Sequence, residues 1–128
     1  MDRRIVWMTA VVSVMVGIAW VPSRGQAPAP GGARQIPQFG NQDVRVYKSV
    51  MAPGQAWPPH RHNHPRVIVA LVGGEVKFVG KSGQATAQRF ETGKAYWLAA
   101  DPAGTYHSEE NAGKTPIELM VTELERAH

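Results

Sequence analysis

The stretch Arg66–Gly83, RVIVALVGGEVKFVGKSG, decides the fold class. Val67, Val69 and Leu71 alternate with Ile68, Ala70 and Val72, so a strand here is apolar on both faces and belongs inside a sheet rather than at its edge. Gly73-Gly74 joins it to a second run, Glu75–Val79, as a tight hairpin, and Gly80-Lys81-Ser82-Gly83 turns the chain again. Working outward, similar short runs rich in Val, Ile, Tyr and Phe recur at Val44–Met51, Ala85–Phe90, Ala95–Leu98, Tyr106–Glu110 and Ile117–Leu124, with Asn111-Ala112-Gly113-Lys114 as a third turn. No stretch sustains the apolar stripe of a helix. Strands this short between turns this frequent predict an all-β domain, a small antiparallel sandwich or barrel.

Upstream of the strands the composition changes twice. Arg3 and Arg4 form a basic start, Ile5–Val21 is an uncharged apolar run, and Pro22-Ser23-Arg24-Gly25 breaks it, which is the pattern of an export signal over residues 1–25 with cleavage before Gln26. Cleavage after Ala27 is the alternative, and an uncleaved membrane anchor is a second, since the run sits at the short edge of what spans a bilayer. Arg3-Arg4-Ile5-Val6-Trp7 also loosely resembles a twin-arginine signal. Residues 26–42, rich in Pro, Ala, Gly and Gln, read as a flexible linker, and residues 43–126 as the folded domain. A periplasmic or secreted location is expected, with membrane contact only through the N-terminal segment.

The charge balance narrows the partners. Without Arg3, Arg4, Arg24 and Asp2 the chain keeps 11 Lys+Arg against 9 Asp+Glu, and no basic stretch interleaved with aromatics, so nucleic acid is not an expected partner. No cysteine is present, so an exported domain of this size has no disulfide to support it and stands on its own core. Homodimerisation is one way such a small domain gains stability.

Four of the five histidines fall in two short segments: His60-Arg61-His62-Asn63-His64, and His107. On a strand His60, His62 and His64 share one face, with Cα atoms about 7 Å apart at each step, and a third ligand must come from a neighbouring strand, for which His107 is the candidate. A solvated histidine-rich loop is the competing interpretation. Trp57, Tyr96 and Trp97 flank this region, and one of them can wall a pocket; Trp97 is expected to contact the substrate.

These segments resemble a known family. Gly54, five residues, His60, one residue, His62 and ten residues to Gly73 resemble the first motif of the cupins, a superfamily of small antiparallel jelly-roll β-barrels. Pro102-Ala103-Gly104-Thr105-Tyr106-His107-Ser108-Glu109-Glu110-Asn111 resembles the second motif, Pro-x-Gly-x-x-His-x-x-x-Asn, at every marked position. Two features depart from the pattern. The glutamate that usually follows the second histidine is replaced, its positions holding Arg66 and Val67, and the turn between Gly93 and Pro102 is longer. His62-Asn63-His64-Pro65 also fits the wording of small cupins, but Gly54 and Gly73 set the count on His60 and His62, which leaves His64 as a fourth ligand or a base beside the site.

The resemblance implies one divalent metal held by His60, His62 and His107 at the barrel mouth. The metal would be Fe2+ in an oxygenase, with Mn2+, Ni2+, Zn2+ or Cu2+ as alternatives. Three neutral ligands leave the full charge on the ion, which favours a small acidic or chelating partner molecule. Some cupins with three-histidine iron sites are dioxygenases acting on thiols or diketones, and related lyases and isomerases share the fold. Arg66, in strand parity with the histidines, is expected to point inward and pair with a substrate carboxylate unless a bulge resets it to the surface. Glu109 shares parity with His107, so it can neutralise Arg66 or stand in for the missing glutamate. A non-catalytic binding cupin and a structural dimerisation module are the alternative functions. No Ser-His-Asp set, phosphate loop or cysteine nucleophile exists, so catalysis, if present, belongs to the metal.

Overall fold

The computed structural model describes residues 32–126. Among them the secondary structure is nine strands: β1 (Arg34–Gly40), β2 (Val44–Met51), β3 (Ala56–His60), β4 (Arg66–Val72), β5 (Gly74–Gly80), β6 (Ala85–Phe90), β7 (Ala95–Leu98), β8 (His107–Asn111) and β9 (Ile117–Leu124). They form two antiparallel sheets, β1-β2-β9-β4-β7 and β3-β8-β5-β6, which face each other as a jelly roll. β4 has β9 on one side and β7 on the other, as its doubly apolar sequence demands.

Two strands depart from the sequence expectation, and both are edge strands. Residues 34–40, assigned to the flexible linker, form β1 and pair with β2 along its length, so the domain starts at Arg34 rather than Asp43. Proline removes a ladder donor, which only an edge position tolerates, and the register shifts between Pro37 and Phe39 where β1 carries its proline. β3 contains Pro58-Pro59, lies at the edge of the second sheet, and likewise breaks register between Trp57 and His60. The expected export signal and residues 26–31 of the expected linker lie outside the described residues.

The inner faces follow from the register. On the first sheet Arg66, Glu123 and Arg45 oppose one another in the outermost layer, Ile68, Val121 and Tyr47 in the next, and Ala70, Leu119 and Ser49 below. On the second sheet His60 opposes His107, then Trp57, Glu109 and Phe78 form a layer, then Asn111 and Val76. Apolar layers thus fill one end, where Met51, Ile117, Val76 and Phe90 are fully buried, and polar layers ring the other. Burial of such side chains contributes roughly 1.5–3 kcal/mol each.

Two motif residues hold the closed end. A Cβ on Gly73 would run into the carbonyl oxygen of Phe90, so only glycine allows the junction of β4 and β5 to pass this close to the end of β6. Asn111, 1% exposed, donates from Nδ2 to the carbonyls of Met51 (3.0 Å) and Thr115 (2.8 Å) and accepts at Oδ1 from the amide of Gly113 (3.0 Å). It ties β8 to the end of β2 and closes the turn into β9, with no polar atom left over.

Candidate metal centre

The polar end of the barrel opens into a cavity of about 550 Å3, within the size range of ligand pockets. His60 comes from the last residue of β3, His107 and Glu109 from β8, and His62 from the loop that leads into β4. His60 and His107 are cross-strand partners, and Glu109 lies two residues further along the same face of β8. His62 is placed by a reciprocal clamp: its amide donates to Asp101 Oδ2 (2.7 Å), and the Asp101 amide donates to the His62 carbonyl (2.9 Å).

Four donor atoms converge. One ligand atom from each of His60, His62, His107 and Glu109 lies within 4.8 Å of every other. His60 Nε2 and His62 Nε2 are 3.0 Å apart, and Glu109 Oε1 stands 3.2 Å from His62 Nε2, 3.2 Å from His107 Nε2 and 3.6 Å from His60 Nε2. Ligands about 2.1 Å from a metal are about 3.0 Å apart at octahedral angles and about 3.4 Å apart at tetrahedral ones, so these separations suit one ion at the common centre.

The outer nitrogens of the imidazoles face oxygens. His60 Nδ1 donates to the Pro58 carbonyl (2.7 Å), His62 Nδ1 lies 3.7 Å from Glu123 Oε1, and His107 Nδ1 lies 3.6 Å from Asp101 Oδ2. An acceptor beside each Nδ1 favours the proton there and leaves the Nε2 lone pair directed inward, the tautomer a metal ligand needs. Asp101 and Glu123 were not singled out in the sequence. Asp101 carried a weak signal in preceding the second motif directly; Glu123 had none beyond its place in an alternating strand.

The metal-free electrostatics fit the same picture. Hydrogen bonding to Glu109 raises the pKa of His60 above its ordinary value, against the effect of burial. Burial works against protonation of His62 too, yet Glu109 and Glu123 together still raise it. Burial alone would push Glu109 up, but the three surrounding imidazoles hold it well below the usual carboxylate range. Glu123, likewise opposed by burial, is lowered to about 2 by His62, Arg45 and Tyr47. With no ion, the carboxylates favour protonation of His60 and His62, and a cation can take the place of those protons.

The other sequence candidates divide. Glu109 takes the place of the missing glutamate, arriving from β8 instead of the first motif, and makes no ion pair with Arg66. Arg66 points inward and is 3% exposed, so no bulge carries it to the surface. His64 lies at the cavity rim, 3.4 Å from Glu125, and is not among the converging donors, in keeping with the count set by Gly54 and Gly73. Trp97, expected to contact the substrate, is instead 62% exposed and does not line the cavity. Alternation on β7 turns Tyr96 and Leu98 inward and Trp97 outward, and the indole on the cavity wall belongs to Trp57, whose Nε1 donates to Ser49 Oγ (3.3 Å).

Comparison with known proteins places the architecture. No family model and no curated protein matches the sequence. Solved structures match the fold. A cupin domain from Bordetella pertussis Tohama I is 23% identical, covers 74% of this chain and 95% of its own, and superposes with a TM-score of 0.66. A conserved protein with a double-stranded β-helix domain from Klebsiella pneumoniae is 21% identical over 80% of this chain and 85% of its own, with a TM-score of 0.56. An RmlC-like cupin from Desulfovibrio desulfuricans is 21% identical over 73% of this chain and 82% of its own, with a TM-score of 0.53. The chain has the double-stranded β-helix fold of these proteins.

Proposed function

We propose that this protein is an exported metal-dependent cupin that holds one divalent ion through His60, His62, His107 and Glu109 and acts as a mononuclear oxygenase on a small acidic or chelating molecule. The convergence of four donor atoms within 4.8 Å of one another, at separations that suit a single ion, carries the proposal. Three imidazoles and one carboxylate suit Fe2+, Mn2+, Ni2+, Zn2+ and Cu2+, and Fe2+ is the choice for an oxygenase. Such an ion would supply open coordination positions and one-electron chemistry. The chain's own residues orient the ligands through Pro58, Asp101 and Glu123, keep one face of the site against the apolar floor of the barrel, and leave the other open to solvent.

Export rests on the basic, apolar and small-residue succession of residues 1–25, read as a signal. The test has two stages. Elemental analysis of protein purified without a tag should find about one transition metal per chain, and oxygen uptake should then respond to one of a panel of carboxylates and diketones. Stoichiometric metal with no uptake across the panel would leave the metal site and favour the non-catalytic binding cupin.

A further inference from the structure

Arg66 is a buried cation with no counter-ion among the described residues. It is 3% exposed, its Nη1 is buried without a hydrogen-bond partner, and among the described residues no carboxylate oxygen lies within 4 Å of its guanidinium. The register makes this pointed. Glu123 stands directly opposite Arg66 across the β4–β9 ladder, on the same inward face, and is the natural partner. Its carboxylate is already engaged: Oε2 accepts from Arg45 Nε (3.1 Å) and Nη2 (2.6 Å), and Oε1 accepts from the Tyr47 hydroxyl (2.9 Å). Of the other acids that line the cavity, Glu109 is held among the imidazoles, and Glu125 pairs with Arg45 and His64 at the rim. A guanidinium removed from water and left unpaired is strongly disfavoured unless an anion joins it.

The surroundings define that anion. Arg66 projects from the first sheet and lines the cavity together with His60, His62 and Glu109, while His107 faces a neighbouring pocket that Arg66 also lines. Below Arg66 the wall becomes hydrocarbon: Ile68, Val76, Phe78, Phe90, Leu119 and Val121. A small hydrated anion such as phosphate or acetate would satisfy the guanidinium and leave this floor uncovered. A ligand with a carboxylate at one end and an apolar ring or chain at the other satisfies both.

We propose that the cavity binds an amphipathic carboxylate, its carboxylate forked onto Arg66 and its apolar body on the floor formed by Ile68, Phe78, Phe90 and Leu119. This rests on the reading of the cavity as the ligand pocket of the metal site, and it narrows the acidic molecule of that reading to one class. Planar bidentate pairing suits Arg66 better than a point charge would, so lysine is not an equivalent residue at this position.

Benzoate serves as the probe, with benzamide as its uncharged counterpart and acetate as a carboxylate without a body. Calorimetric titration of the metal-free and Zn2+-loaded full protein should show benzoate binding at least tenfold more tightly than either. Arg66→Met, which fills the space without a charge, should weaken benzoate at least tenfold while leaving the metal content unchanged. His107→Ala should lose metal yet bind benzoate within about threefold of the metal-free parent. Unchanged benzoate affinity in Arg66→Met overturns the proposal, and so does acetate binding as tightly as benzoate. Wild-type protein that takes up no metal but binds benzoate through Arg66 would instead overturn the metal reading and leave the carboxylate site standing.

Discussion

Glu109 replaces an absent residue from a different part of the chain. The first motif lacks its glutamate, and the strand carrying His107 delivers a carboxylate to the same centre two residues on, where alternation returns the side chain to the cavity face. Glu109→Gln keeps the shape and removes the charge, so metal affinity should fall at least tenfold in a competitive titration. In the metal-free variant the His60 and His62 titrations should both move down, His60 the more clearly because Glu109 is the carboxylate that raises it while Glu123 still acts on His62; NMR of the imidazole protons reads this directly. His60→Ala and His64→Ala, two changes four residues apart, should differ sharply. The first removes a converging donor and the second a rim residue paired with Glu125, so only the first should cost metal, and equal losses would shift the centre along the loop. Arg66→Met should raise the melting temperature of the ligand-free protein, since a buried unpaired charge is exchanged for apolar contact.

Among the elements, the turns and the buried asparagine do more than the strands to fix the site. Asn111→Ala leaves the carbonyls of Met51 and Thr115 without their donor and the Gly113 amide without its acceptor, and should destabilise the protein by about 2 kcal/mol or more in urea denaturation. A loss below about 0.5 kcal/mol would mean that water replaces the amide without cost. The sequence was legible where alternation is clear: β2, β4, β6, β7 and β9 have the expected bounds, although Gly73-Gly74, read as a hairpin, instead carries the chain from one sheet to the other. The spacing around Gly54, Gly73 and Asn111 located three of the four converging residues, and for the fourth place strand parity offered Glu109 beside His64. It was silent where edge position overrides propensity. Pro37 in β1 and Pro58-Pro59 in β3 speak against strands in isolation, and only a partner on one side makes them acceptable. Trp97 misled for another reason: a large aromatic beside the site in sequence has its face set by strand parity, and β7 turns it to solvent. The Asp101 clamp and the Glu123 contact were invisible because each depends on the meeting of segments far apart in the chain.

At the scale of the whole molecule, the cluster links pH to stability in two directions. His60 and His62 bind protons more tightly in the folded metal-free protein than in the unfolded chain, so their contribution is fully present below 6.5 and is lost as pH rises through their raised values. Glu123, lowered to about 2 from an ordinary 4.5, contributes in the opposite sense: present above 4.5 and lost as pH falls toward 2. The metal-free melting temperature should therefore peak between these limits and decline on both sides. Metal displaces the imidazole protons, so the stabilisation it confers should grow as pH rises from about 5 to about 8, where the metal-free protein weakens.

The most direct test is a calorimetric titration of the metal-free protein with Zn2+ or Mn2+ near neutral pH, run beside Glu109→Gln and His107→Ala. A single site is expected, with about one ion per chain, release of protons to the buffer, and affinity reduced at least tenfold in both variants. A parent protein that takes up no ion, or variants that bind as well as the parent, would contradict a centre built from His60, His62, His107 and Glu109.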